Sequence, residues 1–160
     1  MLRTPTLRRV VMTAVAASAV ALAIGGVSIA AAGGQHATNH TFRLTETDTN
    51  FHFVSISHTK NGRPGDEFIF HGNLAAAGAP NVGGIDVVCT LVVGGKSQCM
   101  GTFTLPGGTV TGSALVPTNG GGVTHIAVSG GTGRFAKVRG QIVSTSTGTN
   151  TSTVVFHLNY

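Results

Sequence analysis

From residue 41 onward, apolar and β-branched side chains alternate with polar ones in short runs: 41–48, 51–58, 67–75, 84–93, 97–105, 108–116, 122–129, 137–147 and 151–159. A period of two marks strands with one buried face, and no stretch keeps the 3.6-residue period of an amphipathic helix. Turn-forming residues stand between the runs: Asn61-Gly62, Pro64-Gly65, Gly94-Gly95, Pro106-Gly107-Gly108 and Asn119-Gly120-Gly121-Gly122. The threonine-rich segment from Thr145 to Thr153 divides around Gly148-Thr149-Asn150 into a hairpin. Short strands at this spacing predict an all-β barrel or sandwich, not a helical or βαβ fold.

Ahead of this pattern the chain changes character. Arg3, Arg8 and Arg9 precede an uncharged apolar run from Val10 that ends in Ala30-Ala31-Ala32. Basic flank, apolar middle and small-residue cleavage site are the parts of a signal peptide, here residues 1–32 with cleavage near Ala32. Arg8-Arg9 before Val10-Val11-Met12 fits twin-arginine export as well as an ordinary basic flank. The alternative is an uncleaved anchor through residues 10–32, which is long enough to cross a hydrocarbon core of roughly 30 Å but rich in Ala, Gly and Ser. Residues 33–40 read as a small, polar linker and 41–160 as one domain, with no later apolar run long enough to form a membrane helix. The expected location is extracellular, with membrane attachment as the alternative.

Three of the ten basic residues lie in the signal, which leaves seven against five carboxylates in the remainder, a net of +2 with no basic cluster. That balance gives no nucleic-acid footprint. The few carboxylates and the absence of a GxSxG elbow argue against standard hydrolases. The absence of Trp and the single Tyr160 argue against a sugar-stacking module. Of the histidines His36, His40, His52, His58, His71, His125 and His157, only His36 and His40, in the linker, have a ligand-like spacing, so no metal is expected. The glycine-rich stretch from Ser129 to Phe135 lacks GK[ST] and a following helix, which leaves no phosphate cradle and no expected cofactor.

Cys89 and Cys99 are the only cysteines. With Val93-Gly94-Gly95 as a three-residue loop, Val92 faces Lys96, and the same register sets Cys89 opposite Cys99 with both side chains on one face. Directly opposed strand residues lie within disulfide reach, and an exported chain favours the bond.

Three segments carry a family likeness: Val82-Gly83-Gly84-Ile85-Asp86-Val87-Val88-Cys89, then Gly101-Thr102-Phe103-Thr104-Leu105, and above all Ile126-Ala127-Val128-Ser129-Gly130-Gly131-Thr132-Gly133-Arg134-Phe135 with Arg139-Gly140 after it. On these residues the chain resembles the allene oxide cyclase barrel family and its dirigent relatives over about residues 65–160, extending back to 41. The resemblance implies a small eight-stranded antiparallel β-barrel with a mostly apolar lumen and a homotrimeric assembly. It further implies binding of a hydrophobic small molecule and control over the stereochemistry of its cyclisation or coupling, an isomerase activity where the barrel is catalytic. The alternative is a non-catalytic secreted barrel that binds a lipid-like molecule or packs its own lumen.

The resemblance does not carry catalytic residues with it. Plant allene oxide cyclases have a glutamate and an asparagine in a tyrosine-containing first strand, whereas Phe42-Arg43-Leu44-Thr45-Glu46-Thr47-Asp48 departs from that arrangement, with Glu46 nearby. The paired aspartates of plant dirigents are replaced by Phe70-His71-Gly72-Asn73-Leu74. Cys89 sits where the cyclases have a cavity cysteine, but its bond to Cys99 removes the thiol.

Alternation then sorts the side chains. With the cysteine face inward, Ile85, Val87, Cys89 and Leu91 join Cys99, Gly101, Phe103 and Leu105 in the lumen, while Phe68 and Phe70 fit the lumen from their own strand. The expected lumen residues for a ligand are Phe68, Phe70, Cys89, Phe103 and Phe156. Glu46, Glu67, His71 and Asp86 are the titratable candidates for catalysis, and the same alternation puts Glu67, His71 and Asp86 outside.

Overall fold

The computed structural model describes residues 38–59, 62–119 and 122–160. The expected signal peptide and residues 33–37 of the linker lie outside the described residues. Eight antiparallel strands close into a barrel in simple chain order: β1 (Asn39–Val54), β2 (Glu67–Ala76), β3 (Ala79–Val92), β4 (Lys96–Leu105), β5 (Gly108–Pro117), β6 (Val123–Gly131), β7 (Arg139–Gly148) and β8 (Thr151–Asn159). β8 pairs back onto β1, so no strand is left with an unpaired edge. Asn39 and His40, at the end of the segment read as linker, are already paired with β8.

The runs 41–48 and 51–58 are one strand, not two. A β-bulge between Asp48 and Asn50 in the pairing with β2 absorbs one residue and lets β1 continue to Val54. An extra residue reverses the alternation. Phe42, Leu44 and Glu46 therefore point inward before the bulge, and Phe51 and Phe53, opposite Phe70 and Phe68, point inward after it.

Side chains fill the barrel unequally along its axis. At one end Leu44, Leu74, Phe103, Leu105, Val110, Ile142, Val154, Phe156 and Leu158 are all buried. Phe42 stacks on Phe156 with ring centroids 4.5 Å apart, and Phe103 meets the Phe156 edge at 5.1 Å. The β6–β7 connection closes this end: its short 3-10 helix, Gly133–Phe135, places Phe135 and the following Val138 in the core. Phe135 also packs edge-on against Tyr160 at 5.4 Å.

This plug explains the glycine-rich segment that carries the family likeness. Gly133 has φ +59, and a Cβ there would overlap the Gly107 carbonyl oxygen in the β4–β5 turn. A Cβ on Gly131 would run into the Thr109 carbonyl and the Phe135 backbone. The two connections cross with backbone against backbone, which only glycine allows.

The β3–β4 hairpin has the register read from the sequence, with Val92 opposite Lys96 and Cys89 opposite Cys99, and the two cysteines are disulfide-bonded.

Gly133→Ala should lower stability by about 3 kcal/mol or more, from left-handed backbone strain and overlap together. Gly78→Ala, at φ +76 with nothing within 4 Å, should lose only about 1–2 kcal/mol. Urea denaturation of the pair checks this, and equal losses would show that the crossing is not tight.

Candidate functional site in the barrel lumen

The other half of the lumen is hollow, and small residues make it so. Gly101 on β4 lies opposite Gly112 on β5, and Cys99 lies opposite Ala114, so the inner faces of these strands carry almost no side-chain bulk. The space left is a cavity of about 190 Å³ bounded by Phe70, Ile85, Val87, Phe103, Ala114, Val116 and Ile126, with the disulfide in its wall. It is smaller than the roughly 300 Å³ at which drug-sized sites begin. It leads outward, however: Phe70, Cys89, Cys99 and Val116 also line a depression of about 280 Å³ with Phe51 and Phe68. Phe68 and Thr118 connect that depression to a mouth of about 560 Å³ under the β1–β2 and β3–β4 connections.

The expected lumen residues divide along the axis. Phe68, Phe70 and Cys89 border the hollow half. Phe103 forms its floor, and Phe156 lies in the filled half, fully buried between Phe42 and Phe103.

The lumen wall has two chemistries. From β2 to β5 it is apolar apart from the buried Ser97 of β4, which borders the outer depression. From β6 through β8 to β1 it carries hydroxyls and carboxyls: Thr124 and Ser144 face the cavity, Thr124 pairs with Ser144, Ser146 with Ser152, and Ser152 with Glu46. Glu46 is 7% exposed. Its side chain lies over Gly72, whose missing Cβ would come within 3.2 Å of the Glu46 Cγ and 3.1 Å of the Ile85 Cγ2. Gly72 thus makes room for the carboxyl beside a cavity-lining residue.

No donor among the described residues hydrogen-bonds the Glu46 carboxyl, and no described side-chain oxygen is sealed off without a partner. The carboxyl oxygens therefore border open space. Burial, reinforced by the charge of Asp48 two residues on, raises the Glu46 pKa to about 7. Burial raises Asp48 as well. A carboxyl that titrates near neutrality both gives and takes a proton, which is the requirement for general acid–base work.

The remaining titratable candidates sit on the outer wall. Glu67 accepts a 3.3 Å hydrogen bond from the Thr90 hydroxyl. His71 Nδ1 and Asp86 Oδ1 are 2.7 Å apart on an open groove of about 630 Å³ that also holds Ile69, Val88, Met100 and Thr102. The structure does not bring this pair together with Glu46, because they face opposite sides of the sheet.

Asp66 was not among the candidates, yet it is buried. The Ser57 N–H and hydroxyl donate to its carboxylate at 2.7 Å each, and the Arg63 N–H donates at 2.8 Å. These bonds, led by the Ser57 amide, hold its pKa below the ordinary value against the opposing effect of burial. Its role is to clamp the β1–β2 connection at the mouth, a task its own backbone shares: its carbonyl accepts from the Leu91 N–H and its N–H donates to the Arg63 carbonyl. Among the described residues no cluster of three metal-ligating side chains occurs, and no helix is long and apolar enough to cross a membrane.

No protein-family model and no curated protein matches the sequence. Among solved structures the chain is similar to a pyocyanin demethylase, with TM-score 0.63 and 22% identity over 74% of this chain and 99% of that one. It is similar to a nonspecific heme-binding cyclase that catalyses a cycloaddition in neoabyssomicin biosynthesis, with TM-score 0.64 and 17% identity over 81% and 68%. A pterocarpan synthase dirigent protein matches with TM-score 0.59 and 20% identity over 76% and 94%. At these identities the likeness establishes the fold. The chain is an allene oxide cyclase-like, dirigent-like barrel, an architecture it shares with cyclases and dirigent proteins.

Because the folded-state pKa of Glu46 is raised, its contribution to stability is complete below about pH 4.5 and is lost as pH rises through about 7. Glu46→Gln should therefore gain about 3 kcal/mol relative to the parent between pH 4.5 and 8. Denaturant titrations across that range check this, and a pH-independent difference would mean that the carboxyl is hydrated.

Proposed function

We propose that this chain is an exported barrel that takes an apolar small molecule into the hollow half of its lumen and directs an intramolecular cyclisation, with Glu46 as the proton-exchanging group. The observation that carries the reading is an apolar cavity with an inward-pointing carboxyl, Glu46, next to its lining residue Ile85 and with a pKa raised to about 7. The fold shared with cyclases and dirigent proteins supports it. The disulfide suits the oxidising environment that an exported protein meets.

The two-sided wall points to a substrate with a hydrocarbon skeleton and oxygen functions along one edge. The skeleton packs against Phe70, Val87 and Ile126, while the oxygens face Thr124, Ser144 and Glu46. Confinement selects the folded conformer that can close a ring. Glu46 lends its proton to an oxygen as negative charge develops there and recovers it afterwards, so the product is an isomer of the substrate. The second reading, a non-catalytic carrier of lipid-like molecules, uses the same cavity and makes no use of the raised pKa.

The test begins with compounds extracted from natively produced protein, identified by mass spectrometry and returned to the stripped barrel. The expected compound is apolar with an oxygenated edge and is converted to an isomer. Ala114→Phe, which fills the cavity, should weaken its binding by about tenfold or more, whereas Leu115→Phe on the outer wall should not. Glu46→Gln should keep binding and lose conversion. Conversion that survives Glu46→Gln, or binding that survives Ala114→Phe, would overturn the proposal, and binding without conversion in the parent would leave the carrier reading.

We further propose self-association as a homotrimer through the outer wall, where Ile69, Val88 and Met100 form an apolar row across three adjacent strands, bordered by the His71 and Asp86 pair. Met100→Glu should shift the sedimentation coefficient from that of a trimer to that of a monomer. A parent that sediments as a monomer at high concentration would exclude the assembly.

A further inference from the structure

A disulfide in the wall of a cavity is an electrophile as well as a cross-link, because a thiolate that reaches one sulfur displaces the other. Cys89 and Cys99 both border the cavity of about 190 Å³ and the depression that leads to it. A small molecule in the lumen therefore meets the disulfide. Breaking the bond does not require the barrel to open, since β3 and β4 are paired without interruption from Gly84 opposite Thr104 to Val92 opposite Lys96.

The two sulfurs differ in how they can be reached. An attacking sulfur approaches the struck one from the side opposite the sulfur that leaves. For Cys89 that side faces β2, where Phe68 is its cross-strand partner and Phe70 stands two residues on. The rings of Phe51 and Phe53, with centroids 5.7 and 5.1 Å from that of Phe68, hold Phe68 in place. For Cys99 that side faces β5, where Ala114 is the partner and Gly112 stands two residues before it. A methyl group and a hydrogen leave that approach free. Burial agrees: Cys89 is 6% exposed, and Cys99 is half-buried.

We propose that the lumen disulfide captures a small apolar thiol as a mixed disulfide on Cys99. The thiol gives its proton to water and bonds through its sulfur to Cys99 Sγ. The bond between the two cysteines breaks, and Cys89 leaves as a thiolate that takes a proton from water. One disulfide replaces another with no net oxidation. Phe70, Val87 and Ile126 favour an apolar thiol, and the cost of burying charge disfavours an ionic one. The captured group occupies the cavity and shuts the lumen to other ligands. Return attack by the Cys89 thiolate on Cys99 Sγ expels the thiol and restores the wall, so the closure is reversible. Capture requires the cavity alone and holds whether or not the barrel converts a substrate.

The test exposes the full chain to benzyl thiol or to glutathione, a charged tripeptide, and stops exchange with excess N-ethylmaleimide. Trypsin cuts after Lys96, between the two cysteines, so mass spectrometry reads each separately. Benzyl thiol should be found on Cys99 and the maleimide on Cys89, with the opposite product lower by about tenfold or more, whereas in urea the two products should be comparable. Measured against its own yield in urea, glutathione should be captured by the folded chain about tenfold less than benzyl thiol. Phe68→Ala should bring adducts on Cys89 up to the level of those on Cys99, and Ala114→Phe should cut capture on Cys99 by about tenfold or more. No capture by the folded chain, equal adducts on both cysteines, glutathione captured as well as benzyl thiol, or a pattern untouched by both substitutions would overturn the proposal.

Discussion

Phe103 of β4 meets the edge of Phe156, and Phe156 stacks on its cross-strand partner Phe42, so β4 is joined across one end of the lumen to the neighbouring strands β8 and β1. A closed eight-stranded sheet encloses just enough space for side chains to fill. Where the large rings sit decides which part is filled. Here they gather at the end that the Phe135 and Val138 plug seals, and the glycine and alanine positions of β4 and β5 leave the other end empty. The function argued for this protein depends on that asymmetry.

The same division sets the electrostatics. In a hollow, mostly apolar lumen a carboxylate loses much of its hydration, and with no donor hydrogen-bonded to it and the charge of Asp48 close by, the ionised form of Glu46 is disfavoured. Asp66 shows the opposite outcome from the same starting point. It is buried too, but two backbone amides and a hydroxyl receive its charge, and its pKa falls. One buried acid is held as an anion and serves the architecture of the mouth. The other is poised to exchange a proton and lies over Gly72, beside the cavity-lining Ile85.

Much of this was legible in the sequence because strand alternation is a local property. The inward placement of Phe68, Phe70, Cys89 and Phe103, the outward placement of Glu67, His71 and Asp86, and the cysteine register all follow from period two and one hairpin. The join of 41–48 to 51–58 was not legible, since a bulge is fixed by the partner strand, and Thr49 carries no mark of it. The inward position of Glu46 was available in the order Phe42, Leu44, Glu46, but its depth depends on Gly72 of the neighbouring strand. The Asp66 clamp needed three-dimensional contacts with Ser57 that no spacing announces. Asymmetric filling was out of reach as well, because the residues that could line a pocket are the same ones that could close it.

The half of the lumen beyond Phe103 forms a mostly apolar chamber that leads outward past Phe68 and Phe70. Apolar cavities of about 150 Å³ take up xenon, and the chamber here is about 190 Å³. Anomalous diffraction from xenon-pressurised crystals tests the claim directly. A xenon peak is expected between Phe70, Val87, Gly101 and Ile126. Absence of that peak, with Phe70 turned inward across Gly101 and Gly112, would contradict it.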